Sequence, residues 1–188
     1  TTWERDLSLY ETIIQPQTGL SSFAGISTTL FMRDDSVIDG LTIDATKIQY
    51  AIYLTGVENF KIQNCSIINS DIGIFLTNST GEIINNSVTA NESPLSIESS
   101  SAGNLIARNR FESTNLVEND AIIMNSSSLI YFYNNLCING YNALKTTSCT
   151  SLILLNNIFT LSQNFGIFLQ DSTSVLLHNN AIIKNNIG

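Results

Sequence analysis

The 188-residue chain is short of charge: Asp, Glu, Lys and Arg make up 13% of it, against about 25% in an average soluble domain. Cations are the scarcer sign, 8 Lys and Arg facing 16 Asp and Glu, for a net charge of −8. That balance argues against nucleic acid as a partner, because phosphate binding requires a basic surface. Long apolar runs are missing too. The aliphatic stretches are as short as Leu152–Leu155, whereas a helical bilayer span needs about 20 residues, so no membrane insertion is expected. There are only two Pro and one His, His178. The three Cys (Cys65, Cys137 and Cys149) form an odd set without Cys-x-x-Cys spacing, which argues against a thiolate metal site. The chain opens on Thr1 with no Met and no signal peptide in view, and reads as a processed protein or a fragment.

What is abundant is Asn and Ser, set among Ile and Leu. With 43% hydrophobic residues the chain can build a core, which excludes wholesale disorder. Low charge combined with Asn, Ser and Ile points to stacked β-structure with polar ladders.

The Asn-Asn dipeptides reveal a repeat. The second members of four of them are Asn86, Asn135, Asn157 and Asn180, and Asn109 bisects the longest step. Extended upstream, the column reads Leu41, Cys65, Asn86, Asn109, Asn135, Asn157 and Asn180. Three residues earlier stand Ile38, Ile62, Ile83, Ile106, Phe132, Leu154 and Leu177. Two residues later stand Ile43, Ile67, Val88, Phe111, Cys137, Phe159 and Ile182. A second segment opens on a small residue (Ala51, Gly73, Pro94, Ala121, Ala143, Gly166) and runs into Ile52, Ile74, Leu95, Ile122, Leu144 and Ile167. Two positions on lie Leu54, Leu76, Ile97, Met124, Thr146 and Leu169, where only Thr146 departs from the apolar rule.

A unit of about 22 residues holding short period-2 segments is too small for two helices and a turn. It fits one coil of an all-β, single-stranded right-handed parallel β-helix. Each coil adds a rung of about 4.8 Å, with like side chains stacked over one another. Six to seven such coils are expected. Asn suits the corner because it tolerates the left-handed backbone of a sharp bend and its amide both donates and accepts along a stack. The Ser/Thr-rich stretches at 125–128 and 146–150 read as turns.

In its pattern apolar-x-apolar-x-Asn-Asn-x-Ile, followed by Gly-Ile-x-Leu (Gly73 to Leu76), the chain resembles the PbH1 repeats of the pectate-lyase-like and NosD-like β-helix superfamily. The resemblance covers roughly residues 35–187. It implies the fold and is nearly silent on function, because that group spans lyases, hydrolases, epimerases, adhesins, viral spikes and periplasmic binding proteins. The repeats are assigned to 35–188. Residues 1–34 form an N-terminal cap or irregular first coil. Trp3, Leu7, Tyr10 and Ile14 at helical spacing, with Thr1 and Glu4 as a capping box, suggest a cap helix. The alternation of Leu7, Leu9, Glu11 and Ile13 fits a strand equally well. The C-terminal residues 185–188 carry no helix, Pro or charge cluster that would blunt a solenoid edge, so either the chain was cut there or something covers that end.

The pectate-lyase-like resemblance implies Ca²⁺ held by acids on adjacent rungs, since hard cations need converging oxygens. The columns do not supply them: Asp39 is succeeded by Gln63 and Ile84, and Asp44 by Ile68 and Thr89. The acidic stretch from Glu112 to Asp120 reads as a solvated loop. The polygalacturonase-like set of an acid pair with Gly-His-Gly is also missing: Asp34 and Asp35 precede the regular coils, and His178 points outward without an acid partner. Arg33, Arg108 and Arg110 read as local charge balance. The thiols read as buried and inert, since Cys65 and Cys137 are three rungs apart, about 14 Å at that spacing, which is beyond disulfide reach. The sequons at Asn78, Asn91 and Asn125 read as chance in so Asn-rich a chain. No catalytic residue, cofactor or metal is assigned.

The outer wall is more informative. Strand alternation turns Leu105, Tyr131, Tyr133, Ile153, Leu155 and Leu176 outward, where coil two carries Lys61 and Gln63. Large apolar patches are unusual on a soluble monomer, which makes these six the candidate interface, covered by the chain's own N-terminal segment or by a neighbouring subunit. The second outward column, Tyr53, Phe75, Ser96, Ile123, Lys145 and Phe168, offers Tyr53, Phe75 and Phe168 as a candidate carbohydrate platform. The favoured expectation is a non-catalytic, extracellular or surface-exposed structural β-helix that self-associates or packs into a fibre or surface layer. The alternative is a carbohydrate-binding β-helix, or a polysaccharide lyase or hydrolase.

Overall fold

A computed structural model describes residues 12–15, 27–100 and 103–187. The proposed cap helix lies outside these residues from Thr1 to Glu11, but Ile14, the last position of its helical spacing, stands in the strand Ile13–Ile14. Among the described residues every regular element is a strand, and every ladder between strands is parallel. The chain winds as a solenoid of about seven coils, each contributing up to three strands.

The first face is a seven-stranded sheet running from Val37–Asp39 through Phe60–Gln63, Gly81–Ile84, Asn104–Ala107, Ser128–Tyr133 and Thr150–Leu155 to Leu176–His178. The other two faces belong to one thirteen-stranded sheet, fused where Ser66–Thr77 and Ser87–Glu98 run unbroken for 12 residues each. The second face starts just after the Asn corner, at positions such as Thr42–Asp44 and Arg110–Ser113, and the third includes Tyr50–Thr55 and Ile122–Asn125. Two strands continue this sheet toward the N-terminus. Ile13–Ile14 pairs with Thr42 and Ile43, and Thr28–Phe31 pairs along Tyr50–Thr55. Gln15 Nε2 helps to fasten the first of them, donating to Asp44 Oδ2 at 2.9 Å.

The register follows the sequence columns. Ile38 pairs with Ile62, Ile62 with Ile83, Ile83 with Ile106, Ile106 with Phe132, Phe132 with Leu154 and Leu154 with Leu177. From Ile62 to Leu154 these side chains are essentially sealed from solvent. Inside the bore Phe132 stacks between Phe111 and Phe159, with centroids 6.2 and 6.3 Å apart. The small opening residues of the third face are small because the second face presses on them: a Cβ on Gly73 would collide with Val88 and the Pro94 carbonyl, and one on Gly166 with Ile182. Thr146, the exception in its apolar column, is fully buried, and its Oγ1 lies 2.9 Å from Ser172 Oγ in the next coil.

The Asn corner divides its two tasks between neighbours. The left-handed residues are Gly40, Asn64, Asn85, Arg108, Asn134, Asn156 and Asn179, with φ between 53° and 66°. The column that follows them, to which the sequence reading assigned the bend, instead turns inward and forms the ladder. Asn109 shows the pattern. Its Oδ1 accepts from Asn86 N at 2.9 Å and Asn86 Nδ2 at 3.0 Å, while its own Nδ2 donates to Ile83 O at 2.8 Å and Asn135 Oδ1 at 3.0 Å. The same bonds recur at Asn135 and Asn157.

A second ladder occupies the corner leading into the seven-stranded sheet. Left-handed Gly56, Asn78, Ser99, Ser126, Ser148 and Asp171 precede an inward column of Val57, Ser79, Ser100, Ser127, Cys149 and Ser172. Ser79 Oγ accepts from Val57 N at 3.0 Å, Ser100 Oγ from Ser79 N at 3.3 Å, Ser127 Oγ from Ser100 N at 3.2 Å and Ser172 Oγ from Cys149 N at 3.2 Å. All three thiols are free and buried, and removal from water pushes each pKa up.

Candidate functional site

Three surfaces of the solenoid gather candidate side chains, and the first is the outer side of the seven-stranded sheet. Parallel pairing stacks Leu105 on Tyr131, Tyr131 on Ile153 and Ile153 on Leu176. The adjacent column stacks Ala107 on Tyr133 and Tyr133 on Leu155. The six residues expected to form an interface are therefore brought together as one strip. Tyr131 is 36% and Leu176 51% exposed, while the other four are half-buried by their neighbours. The rings of Tyr131 and Tyr133 meet edge to face, 6.1 Å between centroids, and desolvation raises the Tyr133 phenol pKa, with Tyr131 adding to it. The N-terminal end of the same sheet is polar: Lys61 pairs with Glu82 at 3.1 Å and Gln63 donates to Asp39 at 2.8 Å. Ile84, beside Ala107, starts the apolar strip one coil earlier than expected.

The second surface is the outer side of the third face. Here the expected carbohydrate residues separate. Tyr53 and Phe75 stack at 5.2 Å with a 16° interplanar angle. Two rings that the outward column did not include join them: Phe31, 5.5 Å from Tyr53, and Tyr50, 5.2 Å from Tyr53 and 5.1 Å from Phe75. Partial burial raises the Tyr50 phenol pKa, with Tyr53, Glu98 and Glu92 contributing. Phe168 is four rungs away from Phe75 along the ladder through Ser96, Ile123 and Lys145, and it stacks on Phe165 at 5.2 Å instead.

Phe165 and Phe168 line a cavity of about 260 Å³ with Glu118, Asp120, Tyr141 and Lys145. The sequence reading of 112–120 as a solvated loop fails at both ends: Glu112 lies in the strand Arg110–Ser113, and Asp120 is only 7% exposed. Its Oδ1 accepts from Asn142 N at 3.1 Å and Asn142 Nδ2 at 2.6 Å, and its Oδ2 lies 3.5 Å from Lys145 Nζ. The buried carboxylate thus has an amide and an ammonium to offset its desolvation. Only the parallel register, which puts 120, 142 and 145 in neighbouring coils, reveals this grouping.

The third surface is a groove of about 970 Å³ along the Asn corner, floored by Cys65, Asn86 and Asn109 and walled by Asn64, Asn85, Arg108 and Asn134 on one side. Arg110 opposes them and pairs with Glu112 at 2.5 Å. Elsewhere the acids serve local structure: Asp34 accepts from Glu58 N at 2.9 Å, and Asp44 Oδ1 accepts from Thr46 N, Thr46 Oγ1 and Asn69 Nδ2. Those bonds, Asn69 first, hold the Asp44 carboxyl below its ordinary pKa. Among the described residues no three His, Cys, Asp or Glu side chains converge as metal ligands. His178 is exposed in the last coil, in register with Leu155.

Comparison with known families agrees with this architecture: residues 50–188 match the family described as the right-handed β-helix region. The chain belongs to the right-handed β-helix family. No curated protein and no solved structure matches it. As a β-helix, it presents three distinct outer surfaces on one continuous core: an apolar strip, an aromatic and acidic face, and an amide-lined corner.

Proposed function

We propose that this β-helix is a non-catalytic structural protein that self-associates through the outer side of its seven-stranded sheet, as a building block of an extracellular or particle-surface assembly. The observation that carries the reading is the strip formed by Leu105, Tyr131, Ile153 and Leu176 beside Tyr133 and Leu155. Burying apolar side chains stabilises by about 25 cal/mol per Å², and aromatic anchors dominate protein interfaces. The polar half of the same sheet, with its Lys61–Glu82 pair, would set the register between copies.

Sedimentation equilibrium of wild type and of a Tyr131→Lys/Ile153→Lys double variant tests it. The wild type is expected above its monomer mass of 20.6 kDa, and the variant is expected as a folded monomer with unchanged circular dichroism. A wild type that stays monomeric at millimolar concentration overturns the reading.

The second reading, carbohydrate binding, is favoured by the cavity beside Phe165 and Phe168, where stacked rings, the Asp120 carboxylate and Lys145 stand together. Ligand pockets commonly pair apolar walls with a few placed polar groups. A panel of acidic and neutral polysaccharides, with and without Ca²⁺, tests it. Binding or cleavage that Phe168→Ala abolishes supports this reading, and a blank panel removes it.

A further inference from the structure

Asp120 is the one acidic side chain among the described residues that is buried, and its surroundings treat its two oxygens differently. Two donors converge on Oδ1: Asn142 N at 3.1 Å and Asn142 Nδ2 at 2.6 Å. The Asn142 amide is held in that orientation, because its own Oδ1 accepts from Phe165 N at 3.1 Å and from Asn164 Nδ2 at 3.3 Å. Oδ2 instead faces Lys145 Nζ at 3.5 Å. The backbone is fastened on both sides of the pair. Ser93 Oγ donates to Asp120 O, Ala121 N donates to Asn142 O at 2.9 Å, and Lys145 lies within the strand Leu144–Thr147. A plain ion pair requires no such arrangement. Fixed donors on one carboxyl oxygen and an amine against the other are the parts of an acyl transfer.

We propose that Lys145 and Asp120 condense into an amide, a spontaneous cross-link that clamps neighbouring coils of the folded chain. One ammonium proton passes to Oδ2, leaving a free amine against a carboxylic acid. Nζ already stands beside the carboxyl, near the separation of about 3–3.5 Å at which reacting atoms are aligned for attack. Attack by the amine lone pair forms the Cγ–Nζ bond and places negative charge on Oδ1, where the two Asn142 donors stabilise it. The Cγ–Oδ2 bond then breaks, and a second proton from the nitrogen leaves with the hydroxyl. One water is released, and nothing is oxidised or reduced. Glu118 lines the same cavity and can relay that proton, while the Lys145 side chain is 37% exposed, which gives the water an exit. The inference goes beyond both functions proposed above. It leaves the apolar strip untouched, and it converts the two charges beside Phe165 and Phe168 into one neutral amide.

Mass spectrometry of the intact full chain tests it. The wild type, 20.6 kDa by sequence, is expected to be lighter than its sequence by one water, and its digest to contain a branched peptide joining Asp120 to Lys145. Lys145→Arg keeps a positive charge beside Asp120 but lacks the amine, so it is expected to fold at its full sequence mass. The amide closes the same kind of chain loop that a disulfide would, so this variant is expected to melt about 10 °C lower than the wild type. A wild type at full mass overturns the proposal. So does a water loss that persists in Lys145→Arg, which would place the loss elsewhere, as at Asp39–Gly40, where ring closure onto the next peptide nitrogen also releases water. A cross-linked wild type that melts together with the variant overturns the clamp.

Discussion

The two corners that flank the seven-stranded sheet use one device with different chemistry. At both, a left-handed residue turns the chain and the next side chain points inward to satisfy the backbone of an adjacent coil. At the Asn corner the three central inner amides, Asn109, Asn135 and Asn157, each accept twice and donate twice, while Asn86 accepts only from Cys65 N and Asn180 donates only to Leu154 O. At the Ser corner each hydroxyl accepts from the preceding coil and donates back within its own turn, as Ser100 does to Glu98 O. The Asn corner thus links three successive coils through one side chain, and the Ser corner links two. Cooperative strengthening along hydrogen-bonded chains favours the first.

The sharpest way to break this comparison is to remove one amide without changing its size. Asn109→Leu leaves the Asn86 N–H without its acceptor, takes from the Asn86 amide one of its two acceptors (Ile62 O remains) and removes the amide that donates to the Ile83 carbonyl, all at a buried site. Each unsatisfied buried group costs about 1–3 kcal/mol, so a loss of about 4 kcal/mol or more is expected in equilibrium urea unfolding. A loss below about 1 kcal/mol would mean that coil stacking alone holds the corner. At the other corner, Ser100→Ala takes the acceptor from a single N–H, that of Ser79. A loss of about 1–2 kcal/mol is expected there. Equal losses at the two corners would erase the distinction.

The Asn corner was legible in sequence and the Ser corner was not, for a physical reason. Asn-Asn is a rare enough dipeptide to mark a register, and the apolar columns at fixed offsets from it then tested that register independently. The inward Ser column also keeps a near-constant place, seven to nine residues before the Asn column. It is hidden because its members sit inside runs such as Ser126–Ser128, where only the left-handed residue decides which hydroxyl turns inward. The same limit applied to the surface. Alternation along a strand gave the outward strip from Leu105 to Leu176. The Asp120, Asn142 and Lys145 grouping depends on how a long loop returns to its coil, which has no period to read.

The smallest effect is expected where the two corner chemistries meet. Cys149 stands in the Ser column, its Sγ donating to Met124 O at 3.2 Å and its N–H to Ser172 Oγ. Cys149→Ser would offer the Ser127 N–H the oxygen that other members of the column supply, and the change at pH 7 is expected to stay within about 1 kcal/mol. Alkaline pH separates the two proteins. The folded thiol pKa is raised by burial above its ordinary value of 9.0, so between that value and the folded one the unfolded state has released a proton that the native state keeps. Stability then falls as pH rises, by about 1.4 kcal/mol per pH unit for each such thiol. Cys65 and Cys137 titrate in the same direction, so the wild type is expected to lose stability steeply above pH 9. The variant should lose it less steeply, by one thiol's share, in urea titrations between pH 8 and 10.5. Identical slopes would show that Cys149 reaches water in the folded protein and that the Ser corner is open where the Asn corner is closed.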